Sequence, residues 1–295
     1  MTTSPGNPIS PLPLRRKKND ITFVGHVPLA VTALEASDAG QRSVEHLDGL
    51  DYVTSPLGDR FRLDRLERIG KQPQPGDMMK IPGRIVDEIN QLADSYDEKR
   101  ATDLFAHLVR NGTWQVPTLS VANVYGSIGN TAVYHDERLK YVSKQDRAWW
   151  ENNPIVHIDV PQYVAARKRA FQEALRITRI ARQDGVRFLA GTDSGGVPYL
   201  YYGFSLHDEL ALLVQAGFTP MQALETATRD PAQFLGLKDS GTIEVGKLAD
   251  LVLLRADPLA DIHNTQKIQS LFIAGRQLDR RELDALLSSV ENTAK

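Results

Sequence analysis

The stretch Val186–Gly196, VRFLAGTDSGG, constrains this chain more than any other. An apolar run, Val186, Phe188, Leu189 and Ala190, leads into a glycine turn that carries one carboxylate, Asp193. Short apolar runs bounded by turn residues read as fully buried strands, and strands buried on both faces belong to parallel sheets. The pattern therefore predicts an α/β protein with a parallel strand at this point. A carboxylate at the C-terminal end of a barrel strand reads as catalytic, because barrel active sites open on that face. A turn aspartate serving its own loop is the competing reading, since Asp bonds readily to nearby backbone.

Length and composition narrow what such a strand can belong to. A chain of 295 residues holds one large α/β domain or two smaller ones. Apolar residues make up 41% and charged residues 24%, ordinary values for a globular protein. The net charge is −2 and the single basic tract is Arg15–Lys18, so nucleic acid is not an expected partner. There are no cysteines, which excludes disulfides, thiolate nucleophiles and Cys-bound metals. No apolar run approaches the roughly 20 residues of a membrane span. Residues 1–20 are rich in Pro and Ser without an apolar core, so they read as a disordered arm, not a secretory signal, and the expected compartment is the cytoplasm.

Taken in order, Ile21–His26 is a β-branched run ending at a histidine. A helix is predicted over Leu29–Ala39, opened by Pro28 and stopped by Gly40. Ser43–Leu47 is a second short strand, again ending at a histidine. This strand–helix–strand order suits a βαβ unit. A less regular insertion at about 51–112 holds helical patterns over Leu57–Gly70 and Arg84–Arg110. Trp114–Val121 reads as a third strand despite Pro117, which removes a ladder donor. A second insertion at about 123–160, aromatic and polar, has the length of a functional lid or irregular subdomain. Pro161–Gly185 is the clearest helix. Beyond the opening strand, helices are predicted from Leu206, from the Thr219 cap with Pro220, and from Asp230–Pro231. From Gly241 the period changes: Thr242–Val245, Ala249–Leu254 and Ile268–Ala274 read as strands, and a terminal helix near Arg280–Val290 with a tail fills 279–295.

His26, His46 and Asp193 each end a predicted parallel strand. In a barrel such ends converge, so distant residues can share a metal. Two imidazoles and a carboxylate suit zinc or a similar divalent ion. Each histidine taken alone reads as a core or loop residue. His207, at a helix start in SLHDEL, is either a substrate contact or a local partner of Asp208. His107, His135, His157 and His263 lie in helical or polar settings and read as structural or solvated. Gly241–Leu248, GTIEVGKL, imitates a phosphate loop, but no Ser or Thr follows the Lys and no helix follows the loop. No H-x-H, H-E-x-x-H or G-x-S-x-G occurs.

The blocks FVGHVP, SVEHLDG, WQVPTL, LAGTDSG, SLHDELALLVQAGFTPMQALETATRDPAQFLGL and GTIEVGKLADLVLLRADPL together resemble the amidohydrolase superfamily, in its imidazolonepropionase-like and prolidase-like branch. The match runs from about Ile21 to near the C-terminus. The resemblance implies a partial TIM-like (β/α) barrel over 21–238, strands five to eight, with the C-terminal strands of a small β-sandwich over 239–278. It implies one or two divalent metals, zinc, in the complete site and at most one, weakly held, here, with His26 and His46 as ligands and Asp193 as ligand and proton shuttle. It implies hydrolysis of a C–N bond in a cyclic amide, an amide or a dipeptide.

The chain also departs from that pattern. The family's H-x-H of the first strand is missing, as is a strand carrying the metal-bridging Lys before His26; only Lys17–Lys18 lie there. The expectation is a truncated hydrolase, weakly active or inactive alone. Open strand edges at Ile21–His26 and Phe188–Thr192 would invite self-association or pairing with another chain. The alternative is a non-catalytic fragment or binding partner held through those strands.

Overall fold

A computed structural model describes residues 22–71 and 77–295. The Pro-rich arm, the Arg15–Lys18 patch and Ile21 lie outside the described residues. Two compact units divide the chain: one takes the residues up to Pro117 with Val160–Phe188, the other Thr118–Asp159 with Leu189–Lys295. No helix among the described residues is long and apolar enough to cross a membrane.

In the first unit four extended segments lie side by side, parallel and in chain order. β1 (Ser43–Glu45) pairs with β2 (Trp114–Val116) in the register Ser43↔Trp114, Val44↔Gln115 and Glu45↔Val116. Single parallel bridges extend the row, Gly25↔Val44 on one side and Gln115↔Phe188 on the other. Backbone bonds carry the same order: Arg42 donates to the Phe23 carbonyl, Trp114 to Arg42, and Gln115 to Arg187. Beside Gly25 the ladder bond is long, from the Glu45 N–H to the Gly25 carbonyl at 3.4 Å, and a side chain adds to it. The buried Gln41 amide donates to the carbonyls of Gly25 at 2.5 Å and Ser43 at 2.9 Å. Parallel strands need crossover helices, and the helices here fill that role.

The strands are shorter than the sequence predicts, each for a local reason. Of the strand predicted over Ile21–His26, the described residues form one bridge, at Gly25. β1 stops at Glu45 because His46 and Leu47 take left-handed backbone, with φ of 60° and 57°. The strand predicted over Trp114–Val121 ends at Val116: Pro117 cannot donate, Thr118 turns left-handed, and Leu119–Gly126 is helical. The run at Val186–Ala190 contributes the Phe188 bridge only, although Val186, Phe188 and Leu189 are buried.

The first helix also differs from prediction. It spans Ala33–Asp38, and Pro28 does not open it. Thr32 and Glu35 form a reciprocal capping box, which satisfies two orphan backbone donors and fixes the start. The predicted Arg84–Arg110 helix is two helices, Asp77–Asp94 and Glu98–Asn111, because the Asp97 side chain caps the second. Pro161–Gln183 packs on the Asp77–Asp94 helix, burying Phe171, Leu175 and Ile177, with Arg169 paired to Asp94 at 2.6 Å.

In the second unit, Thr118–Asp159 carries short helices and turns around an aromatic core. Trp150 meets Tyr199 and Tyr201 at 5.2 and 5.4 Å, and Val142 completes the buried cluster. Helices Ser205–Gln215, Pro220–Thr226 and Arg229–Leu235 follow, the second with Thr219 and Pro220 in the predicted cap and first position. An antiparallel sheet ends the unit, in the order β3 (Leu251–Leu254), β4 (Ile268–Ile273) and β5 (Arg276–Leu278). β5 went unread in the sequence. Ala274–Gly275 are both at positive φ, the backbone that a two-residue hairpin requires. The terminal helix, Arg280–Ala294, starts at an Asp279–Glu282 capping box.

The strand predicted over Thr242–Val245 does not form. A strand needs a neighbour, and among the described residues none pairs with it. Ile243 is 87% exposed and Val245 fully so. Replacing both with Ser is expected to change unfolding free energy by less than about 0.5 kcal/mol, as for free surface positions. Denaturant unfolding checks this; a loss of several times that amount would mean that both side chains are packed.

Candidate functional site

Because the first unit's segments run parallel, the residues that follow Gly25 and Glu45 leave at the same end. His26 and His46 are those residues. Their rings stack with centroids 4.7 Å apart and planes 28° from parallel. The left-handed backbone of His46 turns its chain over the strand end, and its N–H bonds to the Val116 carbonyl at 2.8 Å. The same turn brings round Asp48, whose carboxylate meets His26 Nδ1 at 2.6 Å. With Nδ1–H donating to Asp48, Nε2 of a neutral His26 keeps its lone pair. A carboxylate behind an imidazole is the usual outer support of a metal-binding histidine. The donor chemistry of the pair, two imidazoles with a carboxylate behind one of them, suits a divalent metal. Among the described residues, no group of three or more His, Cys, Asp or Glu is placed to hold a metal ion.

Asp193 belongs to the second unit. It is exposed and left-handed, with φ 54°. The Gly196 N–H bonds to its carbonyl at 3.0 Å and closes the turn. Gly196 itself has ordinary φ, but its α-carbon lies against the Asp193 carboxylate. A Cβ there would stand 2.9 and 3.1 Å from the two carboxylate oxygens. The glycine is thus required for side-chain room and not for backbone freedom. Gly196→Ala is expected to displace the Asp193 carboxylate while leaving unfolding free energy within about 1 kcal/mol. A crystal structure of the variant with the carboxylate unmoved would contradict this.

His207, in the same unit, starts the Ser205–Gln215 helix and bonds through Nδ1 to the Thr265 hydroxyl at 2.9 Å. Burial lowers its pKa, which favours the neutral ring. Next to it, Asp208 pairs with Arg138 at 2.6 Å.

Glu209 was missed in the sequence. It is fully buried and accepts the backbone N–H groups of Leu119 at 2.9 Å and Ser120 at 2.7 Å. Burial pushes its pKa up to about 7, against the opposing pull of those two bonds and of a third from the Ser120 hydroxyl. The available signal was its spacing: three residues after Leu206 and four before Leu213, it lies within the apolar stripe of its helix. A carboxyl raised on folding binds protons that the unfolded chain has released. Its contribution is complete below the ordinary 4.5 and is lost as pH rises through about 7. Stability should therefore fall across this window by up to about 3 kcal/mol, and Glu209→Gln should flatten the slope. Denaturant unfolding from pH 5 to 8 checks it; an unchanged slope in the variant would contradict it.

A model of the amidohydrolase family matches residues 129–278. Bottromycin amidohydrolase is similar in structure, with TM-score 0.68 and 25% identity, over 96% of this chain and 55% of that one. An Xaa-Pro dipeptidase shares the fold, with TM-score 0.53 and 18% identity, over 95% of this chain and 50% of that one. Adenine deaminase 1 of Carboxydothermus hydrogenoformans is 27% identical over 104 residues, 35% of this chain and 16% of the relative. Adenine deaminase of Deinococcus deserti is 37% identical over 79 residues, 27% of this chain and 13% of the relative. The chain spans about half the length of the two similar structures and a smaller share of these deaminases.

Proposed function

The chain belongs to the amidohydrolase family, and from that premise we propose that it carries the second half of a metal-dependent hydrolase acting on C–N bonds. The substrate class is a cyclic amide, an amide or a dipeptide. His26, His46 and Asp193 would hold a divalent metal, zinc, which when bound lowers the pKa of water and polarises a carbonyl. In that arrangement Asp193 takes a proton as general base and returns it to the leaving nitrogen as general acid. Asp48 fixes the tautomer and orientation of His26, and His207 contacts substrate. The observation that carries this reading is the Asp48-supported stack of His26 on His46 at one end of the parallel segments.

The sequence holds no H-x-H, and a metal-bridging Lys is not assigned to it. Those ligands would come from residues outside it, in the half barrel that completes strands five to eight. The 295-residue chain alone should therefore show little or no hydrolase activity. Appreciable zinc-dependent turnover of dipeptides or cyclic amides by the purified chain would refute this. Zinc should still bind, weakly, and Asp48→Asn should lower that affinity about 10- to 100-fold, the usual effect of removing a supporting carboxylate. Zinc titration calorimetry reads it; equal affinity for both forms would remove Asp48 from the site.

A second reading, a non-catalytic binding partner, is favoured by the lack of a three-ligand group among the described residues. It predicts zinc well below one per chain, unchanged by His26→Ala. In either reading the outer strand segments and the exposed Ile243 and Val245 would support self-association or pairing with another polypeptide.

A further inference from the structure

Three consecutive residues at the start of one helix tie down three separate segments of the second unit. His207 bonds to Thr265, Asp208 to Arg138, and Glu209 to the backbone of Leu119 and Ser120. The last is the most buried, and it reaches about 90 residues back along the chain. Its target is the first turn of the Leu119–Gly126 helix, whose orphan backbone donors need acceptors. Thr118, at the cap position, is left-handed and makes no side-chain cap bond. The distant carboxylate does that work, with one oxygen for each N–H.

The turn so held touches the Asp193 loop. The buried Ser120 hydroxyl lies between two acceptors, the Glu209 carboxylate and the Thr192 carbonyl, the latter at 3.5 Å, a long hydrogen bond sensitive to small movements. Thr192 in turn accepts the Ser194 hydroxyl at 3.1 Å, on the other side of Asp193.

We propose that Glu209 is a positioning residue for the Asp193 turn, acting through the Leu119–Ser120 backbone and the Ser120 hydroxyl on Thr192. Its interest rests on the reading of Asp193 as a functional group. The coupling itself is a property of the fold. Loss of the negative charge removes one of two good acceptors from the helix start, so the grip on Ser120 should depend on the protonation of Glu209. The charged group acting on Glu209 is Asp208, itself paired with Arg138. Elements packed against its helix carry Tyr125, Glu225 and His263, the last two engaged with Arg229 and Asp261.

The test is a pH titration of backbone amide shifts in the full chain, followed by NMR with residue-selective labels. In the wild type, the amides of Leu119 and Ser120 and those of Thr192–Ser194 should move together with one midpoint near neutrality. Glu209→Gln should abolish that midpoint in both groups, whereas a midpoint set by His207 would survive. Ser120→Ala, which also takes a hydroxyl bond from Glu209 and so moves the midpoint upward, should keep a midpoint at the amides of positions 119 and 120 and lose it at Thr192–Ser194. This variant alone decides the matter if the Gln variant folds poorly. Titration at Leu119 and Ser120 with none at Thr192–Ser194 would make Glu209 a helix cap only and overturn the proposal. So would a midpoint at Thr192–Ser194 that Ser120→Ala leaves intact. No readout uses metal or turnover, so failure here leaves the assignment of Asp193 as it stands. Failure of that assignment would leave the coupling measurable.

Discussion

The parallel register of Val44 is the constraint on which the first unit depends. Val44 is bridged to Gly25 on one side and paired with Gln115 on the other, and Gln115 is bridged to Phe188. Parallel order makes every segment end on the same side, so whatever follows a strand is delivered to a common place. The stacking of His26 on His46 follows from this and from two left-handed residues after β1. A shift of one residue in this register would send each side chain to the opposite face. The buried Gln41 amide, spanning Gly25 and Ser43, guards the weakest edge of the row.

In the second unit, fixed carboxylates organise loops that have little regular structure. Asp208 holds Arg138, whose guanidinium lies 4.3 Å over the Tyr201 ring, and Tyr201 packs on Trp150. Glu209 holds the start of the Leu119–Gly126 helix. Residues far apart in the sequence thus converge on one short helix start. Buried carboxylates are costly unless their oxygens are satisfied, and these are satisfied by donors from distant segments. The same expense explains why Glu209 titrates near neutrality and not in the usual carboxylate range.

What could be read from the sequence followed local rules. Pro161 and Thr219–Pro220 mark helix starts because proline and a capping hydroxyl act within a few residues. The histidines after Gly25 and Glu45 were legible as residues ending apolar runs. Other features rest on tertiary partners. Asp48 is an ordinary turn residue until His26, 22 positions away, is placed beside it. Glu209 looks like a surface acid until its helix is seen to turn it inward. Thr242–Val245 has strand composition, yet it runs from a bend into a turn with Ile243 and Val245 exposed, because composition cannot supply a neighbouring strand. Thr32 and Glu35 outweigh Pro28 as a helix start because two reciprocal hydrogen bonds exceed a preset φ.

The central proposal is that His26 and His46 are ligands of a divalent metal. X-ray absorption at the zinc edge of the zinc-loaded chain addresses it directly. The account predicts two imidazole nitrogens at roughly 2.0–2.1 Å, falling to one in His26→Ala, with light oxygen donors filling the rest of the shell. Zinc bound with no imidazole scattering, or a shell unchanged by His26→Ala, would contradict it.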